Sequence, residues 1–346
     1  MTRSDKLRKQ FSDNEAVYIS SYPNIFYYSG FTSEDARLLI TNERQILFTD
    51  SRYTIQAHIE SPDFEVFDIY SEMDKVISSI KEEVILFEED HVTVNEFNKI
   101  SKYKKETRVF SDKIRDARKI KDEKEIRAIR EAQRLTDEGF SYILDVIKPG
   151  KSEKEIAMEL EFFMRRKGAD SLSFETVCAS GERSAMPHGT ASEKIIKKGE
   201  FLTLDFGCMV DGYCSDMTRT VLVGSCGERE KEIYDVVLLA QKAALDLIGP
   251  GVKCSDVDKA ARDIIEAAGY GESFGHATGH GVGIQIHELP NLSKRSDYIL
   301  KEGNIVTVEP GIYIEGFGGV RTEDLVQITD QNMINLTKSA KDLLII

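Results

Sequence analysis

Leu202-Thr203-Leu204-Asp205-Phe206-Gly207 and Val306-Thr307-Val308-Glu309-Pro310-Gly311 are one pattern written twice, 104 residues apart. In each, apolar residues alternate with a threonine and an acid, the period of a strand with one covered face, and a glycine follows. The match extends upstream. Ile147-Lys148-Pro149-Gly150 is echoed by Ile248-Gly249-Pro250-Gly251, 101 residues later. After each comes a serine that reads as a helix N-cap with an acidic third residue, Ser152 with Glu155 and Ser255 with Asp258. Each helical pattern then runs to a glycine stop, Gly168 and Gly269. Matches in one order at a nearly constant offset predict a duplicated half-domain, each copy carrying an acid at the same point of its strand. Such a pair of acids points to a site between the halves.

Ahead of the duplicated part, short β-like runs (17 to 20, 37 to 41, 45 to 49 and 84 to 87) alternate with helix-compatible and turn-rich segments, an α/β pattern. At Arg118 the sequence turns to RKIKDEKE, after which Ile126, Ile129, Ala132, Leu135 and Phe140 recur at helical spacing. The boundary falls there, giving a small α/β domain over residues 1–118 and the duplicated domain over 119–346. A length of 346 residues supports both. No apolar run of signal-peptide or membrane-spanning length follows Met1 to Phe11 or occurs elsewhere. The cysteines number five, are scattered and lack metal-ligand spacing, which reads as reduced thiols in the cytoplasm. A net charge of −14 with no basic stripe excludes a general affinity for nucleic acid or anionic membranes, so the partner is small.

Asp211-Gly212 lies between two strand-like runs and reads as a two-residue hairpin turn with both residues at positive φ. Val210 then faces Tyr213, and Asp216 falls opposite Gly207, on the same face as Asp205 and diagonal to it. Like charges about 4 Å apart repel by roughly 4 kcal/mol at an effective dielectric near 20, so something positive belongs between them. The second copy supplies Glu309 and, in Gly319-Val320-Arg321-Thr322-Glu323, a further acid. Between the pairs runs the glycine-rich stretch containing His276 and His280, followed by His287-Glu288; His188 follows Met186-Pro187. Four carboxylates and one imidazole balance two divalent cations. Oxygen donors with one nitrogen favour manganese or another octahedral first-row ion over structural zinc, with Co2+, Zn2+ or Fe2+ as alternatives. Two ions about 3.5–4 Å apart lower the pKa of a shared water and polarise a carbonyl, the chemistry of amide hydrolysis.

In order, MPHG (186–189), LDFG…SDMTRT (204–220), GHGVG…HE (279–288), VEPGIY (308–313) and GVRTED (319–324) closely resemble the pita-bread metallopeptidases. Within them the chain resembles the aminopeptidase P and prolidase branch, with its creatinase-like N-terminal domain. The resemblance covers essentially the whole chain. It implies a pita-bread fold with a pseudo-two-fold repeat and hydrolysis of the bond between a first residue and a following proline. It further implies that Asp205, Asp216, His280, Glu309 and Glu323 hold two metals, Asp216 and Glu323 bridging them, and that Glu309 also accepts the proton of the attacking water. His188 and His287 resemble histidines that orient substrate and stabilise the tetrahedral intermediate. His276 resembles a substrate-side histidine, Arg321 a gating or carboxylate-facing arginine, and Tyr313 a further substrate-side residue. A homodimer is implied as well.

Plainer readings exist: a solvated hairpin for Asp205 and Asp216, a surface salt bridge for Glu309 and Glu323, turn residues for His188 and His287. His276 could brace its loop, Arg321 lie exposed on a strand, and Tyr313 sit in the core. Cys208 and Cys214 read as small hairpin residues rather than ligands. Among functions, a methionine aminopeptidase would use the same five ligands, but its family generally lacks so large an N-terminal domain and has glutamine where Arg321 stands. A creatinase-like amidinohydrolase or a non-enzymatic binding protein of this fold lacks the ligands. Between an Xaa-Pro aminopeptidase and an Xaa-Pro dipeptidase (prolidase) the shared ligand set decides nothing, and the sequence reading leans to the former.

Overall fold

The computed structural model describes residues 2–346. It divides into two compact units, Met1–Arg118 and Lys119–Ile346. Among the described residues, no helix is long and apolar enough to cross a membrane.

The first unit is built on a six-stranded sheet of β1 (Glu15–Ile19), β2 (Ala36–Ile40), β3 (Gln45–Thr49), β4 (Glu65–Asp68), β5 (Val84–Phe87) and β6 (Glu106–Val109), in the order β4-β3-β2-β1-β5-β6. β1 to β3 form an antiparallel meander, while β4 joins β3, and β5 and β6 extend from β1, in parallel. The four central strands are the β-like runs of the sequence, shifted by at most two residues. β4 (EVFD) and β6 (ETRV) lie at the two edges, face solvent in part, and so lack a continuous apolar signature.

In the second unit the duplication is visible element by element. Helix Glu123–Val146 precedes Pro149-Gly150 and helix Glu153–Arg166; helix Glu228–Leu247 precedes Pro250-Gly251 and helix Cys254–Ala267. Each helix pair covers one face of its strand. Leu202, Leu204 and Phe206 of strand Glu200–Phe206 pack with Ala132, Leu160 and Met164. Val306 and Val308 of strand Ile305–Val308 pack with Val237, Ala240 and Ala261. Because strand side chains alternate, burying those residues against helices turns Asp205 to the other face. Glu309 lies one residue past the end of its strand.

The hairpin forms as expected, with Asp211 at φ 50° and Gly212 at φ 77°, and Val210 paired with Tyr213. The same register continues into the long strands, where Thr218 pairs with Asp205 and Met217 with Phe206. His280 is carried by strand Gly279–Gly281, which runs beside Ile305–Val308. Gly279 is required there: a Cβ would stand 2.0 Å from the Thr307 carbonyl oxygen.

One pair of expected caps differs. Ser152 caps its helix, accepting from the Glu155 N–H while the Glu155 carboxylate accepts from Ser152 N–H, a full capping box. Ser255 does not: its helix starts at Cys254, with Lys253 as N-cap and no side-chain cap. The reason is tertiary. The Tyr298 carbonyl accepts from Cys254 N–H at 2.9 Å, and Asp258 is buried and turned to Arg262 and to the N–H and hydroxyl of Thr278. Ser152→Ala is therefore expected to cost about 1 kcal/mol in urea unfolding, and Ser255→Ala at most a few tenths; equal losses would contradict the capping difference.

Candidate metal centre and active site

A cavity of about 520 Å³ opens within the second unit, and Asp205, Asp216, His280, Glu309 and Glu323 all line it. Asp205 is the penultimate residue of one long strand, Asp216 immediately precedes the next, and Glu323 lies between strands Gly318–Arg321 and Asp324–Ile328. His280 Nε2 stands 3.2 Å from Glu309 Oε1 and 3.5 Å from Asp216 Oδ2. Asp216, His280 and Glu323 each offer one ligand atom, all within 4.8 Å of one another. His188, His276, His287 and Arg321 also reach the cavity, whereas Tyr313 does not line it.

Neighbours fix how these groups point. His280 Nδ1 lies 3.1 Å from the Gly281 carbonyl, and a carbonyl only accepts, so Nδ1 carries a proton and Nε2 is aimed at the carboxylates, protonated by their charge in the metal-free site and able to give its lone pair to a cation that displaces that proton. Thr307 Oγ1 accepts from His280 N–H and donates to Glu309 Oε1, tying the imidazole strand to the acid of the second copy. Thr218 Oγ1 donates to Glu323 Oε2 and accepts from Arg321 Nε. Arg321 is buried, with Nη2 2.5 Å from Asp205 Oδ2 and Nη1 donating to Tyr313 Oη at 2.7 Å. His276 Nδ1 donates to the Ala277 carbonyl, so its Nε2 accepts from Tyr313 Oη at 2.9 Å. A chain of hydrogen bonds thus runs His276–Tyr313–Arg321–Asp205, and Tyr313 acts from behind Arg321 instead of facing the cavity. His188 and His287 are exposed on the wall, the His287 ring 4.4 Å from that of His280.

The electrostatics demand a cation. Burial, then the neighbouring carboxylates, push Asp216 and Glu323 well above the ordinary carboxylate range. Burial also raises Asp205, against the pull of Arg321. Burial opposes ionisation of Glu309 too, but the hydrogen bond and charge of His280 outweigh it and hold Glu309 at about 2. One arginine cannot balance four acids. Asp205 Oδ1 and Glu323 Oε1 are buried without a hydrogen-bond partner among the described residues, a state that costs about 1–3 kcal/mol or more per group unless something else binds there. Unpartnered oxygens, a preset imidazole and surplus negative charge fit a pair of divalent ions.

The family model described as metallopeptidase family M24 matches residues 127–330, and that of the creatinase/prolidase N-terminal domain matches residues 3–120. The chain belongs to metallopeptidase family M24. It is 39% identical to an Xaa-Pro dipeptidase of Pyrococcus horikoshii over 99% of both chains. Among solved structures it is similar to an Xaa-Pro dipeptidase from Bacillus anthracis (TM-score 0.95, 41% identity, 99% of both chains). It is also similar to an X-Pro aminopeptidase from Thermotoga maritima (TM-score 0.93, 38% identity, the whole of both chains). The M24 relationship agrees with the pita-bread reading of the fold and makes the centre one for divalent metal ions.

Several M24-site residues went unread in the sequence. Thr307 and Thr218 are ordinary strand threonines by sequence; the one available signal was that Thr307 precedes Glu309 by two, as Thr203 precedes Asp205. Phe174, Glu175 and Asn291 line the cavity from segments without a motif. Beside His287, the buried carboxylate of Glu288 pairs with Lys121 at 3.3 Å and accepts from Gln285 N–H. Those partners are 167 residues apart in sequence and could not be matched from it.

Because Asp216 and Glu323 hold protons more strongly than ordinary carboxylates while metal-free, and a cation displaces those protons, manganese binding must release protons. Calorimetric titration of metal-stripped protein in buffers of different ionisation enthalpy is expected to show net proton release at pH 6 to 7, with apparent affinity rising with pH. Net proton uptake would contradict this charge assignment.

Proposed function

We propose that the protein is an Xaa-Pro aminopeptidase that hydrolyses the bond between a first residue and a following proline, with two manganese ions held by Asp205, Asp216, His280, Glu309 and Glu323. The observation that carries this is the buried group of four carboxylates around a preset His280 imidazole, with Asp205 Oδ1 and Glu323 Oε1 unpartnered. Bound there, divalent ions supply the charge that acidifies water and polarises a carbonyl. Asp216 and Glu323, each raised by burial and by other carboxylates, are the pair suited to bridging two cations. The oxygen-rich donor set is the reason for choosing manganese.

The chain's own groups then divide the work. Glu309 accepts the proton of the attacking water on its carboxylate, which Thr307 orients by donating to Oε1. His287, lowered by burial and by His280 and so neutral near pH 7, faces the substrate carbonyl together with His188. Arg321, anchored on Tyr313 and Thr218, holds Asp205 in place. His276, fixed as an acceptor towards Tyr313, closes that chain on the substrate side. Phe174, Val177, Pro187 and Ile286 give the wall apolar surface for a proline ring.

Cavity charge favours the aminopeptidase over the dipeptidase reading. A dipeptide bears its free carboxylate on the proline itself, within the cavity. Among the described residues Arg321 is the sole lysine or arginine lining that space, and its donors are committed to Asp205, Tyr313, Thr218 and the Pro187 carbonyl. The second reading, an Xaa-Pro dipeptidase, has in its favour the names of the Pyrococcus and Bacillus anthracis relatives. The five cysteines are all free, which suits a cytoplasmic enzyme, and the resemblance supports a homodimer.

With manganese loaded, Xaa-Pro-Xaa is expected to be cleaved faster than Xaa-Pro, and Met-Ala-Xaa not at all. Asp216→Ala or Glu323→Ala is expected to reduce kcat/KM by at least about 1,000-fold, since either removes one of the two ligands the pair of cations would share. Cleavage of the dipeptide alone would make the protein a prolidase; full activity in either variant, or after complete metal removal, would end the proposal.

A further inference from the structure

Next to the catalytic cavity lies a second hollow of about 270 Å³, formed by Lys119 and by residues between Leu289 and Tyr298. Asn291 lines both, so the two meet at that side chain. Their charges are opposite. Five acids line the cavity, Glu175 besides the four of the metal centre, whereas no acid lines the hollow and Lys119 and Arg295 do. In a chain of net charge −14, a basic hollow set against an acidic one is not average surface.

The positive charge of Arg295 is available. Arg295 is exposed and has no hydrogen bond or ion pair among the described residues. Asp297, the nearest acid in sequence, is occupied by Lys253 at 2.6 Å. The Tyr298 ring forms part of the wall, with the Lys119 ammonium 5.1 Å and the Lys301 ammonium 5.9 Å from its centroid, which adds further positive charge at the same place.

We propose that this hollow is a subsite for the C-terminal carboxylate of substrates that continue past proline, with Arg295 supplying the charge that meets it. The proposal rests on the Xaa-Pro aminopeptidase reading and deepens it. An enzyme that cuts at the N-terminus of short peptides meets a free carboxylate at the other end of every substrate. The cavity offers that group no uncommitted lysine or arginine, and the hollow beyond Asn291 does. A dipeptide cannot place its carboxylate there, because the charge sits on proline. Each further residue extends the chain by at most about 3.6 Å, so three- and four-residue peptides are the first to carry the charge outward.

The test compares Xaa-Pro-Xaa and Xaa-Pro-Xaa-Xaa, each as free acid and as C-terminal amide, with the manganese-loaded full-length protein. At low salt the free acid of at least one length is expected to have a kcat/KM about two- to five-fold above its amide, the range of an exposed ion pair. That ratio should fall towards one in about 1 M salt, where charges are screened beyond about 3 Å, and should fall to one or below in Arg295→Glu. Arg295 is exposed, so its substitution leaves the packing intact, and the amide serves as the reference within each preparation. Equal rates for acid and amide at both lengths in the wild type, or a preference that Arg295→Glu leaves unchanged, would overturn the subsite. Failure to cleave either form would instead overturn the Xaa-Pro reading, so the two failures are distinct.

Discussion

Four carboxylates face one another in the interior of the second unit, and the remainder of that unit is arranged around the cost of holding them there. Two like charges about 4 Å apart repel by roughly 4 kcal/mol even at an effective dielectric near 20, and three of these acids are driven above their ordinary range. Arg321 offsets part of the charge through Asp205, and His280 offsets part through Glu309. What is left requires cations. The same surplus that destabilises the metal-free site gives the bound ions their affinity, so the strain and the chemistry have one source.

Duplication explains how the acids come to face one another. Each copy presents a helix-covered strand with an acid at the strand's end, and helix burial of Leu204 and Phe206, or of Val306 and Val308, commits the facing side to the cavity. The two copies are not identical in their bracing. Asp205 is held from behind by the His276–Tyr313–Arg321 chain, while Glu309 is held by Thr307 and His280. This asymmetry keeps Glu309 ionised in the metal-free site while its three neighbours are raised.

Much of this could be read before any coordinates, and where it could not the reasons are physical. Asp211-Gly212 predicts its own turn, because few residues tolerate positive φ, and the turn sets the register that brings Asp205 and Asp216 to one face. The repeat located Glu309 in the same way. Ser255 misled, since a serine three residues before an acid looks like a cap until the Tyr298 carbonyl supplies the partner instead. Edge strands β4 and β6 escaped notice because their exposed faces carry no apolar period. Tyr313 reads equally as core or as site, and in the structure it bridges the two by bonding Arg321 and His276. Lys121 and Glu288, like Thr218 and Glu323, meet only through tertiary packing, which local pattern does not encode.

The central claim is that these five side chains form one site for two ions. Anomalous X-ray scattering at the manganese edge from crystals of the loaded protein measures it directly. The account predicts two peaks per chain, both within the cavity, with Asp216 and Glu323 touching each. A single peak, or peaks away from Asp205, Asp216, His280, Glu309 and Glu323, would contradict it.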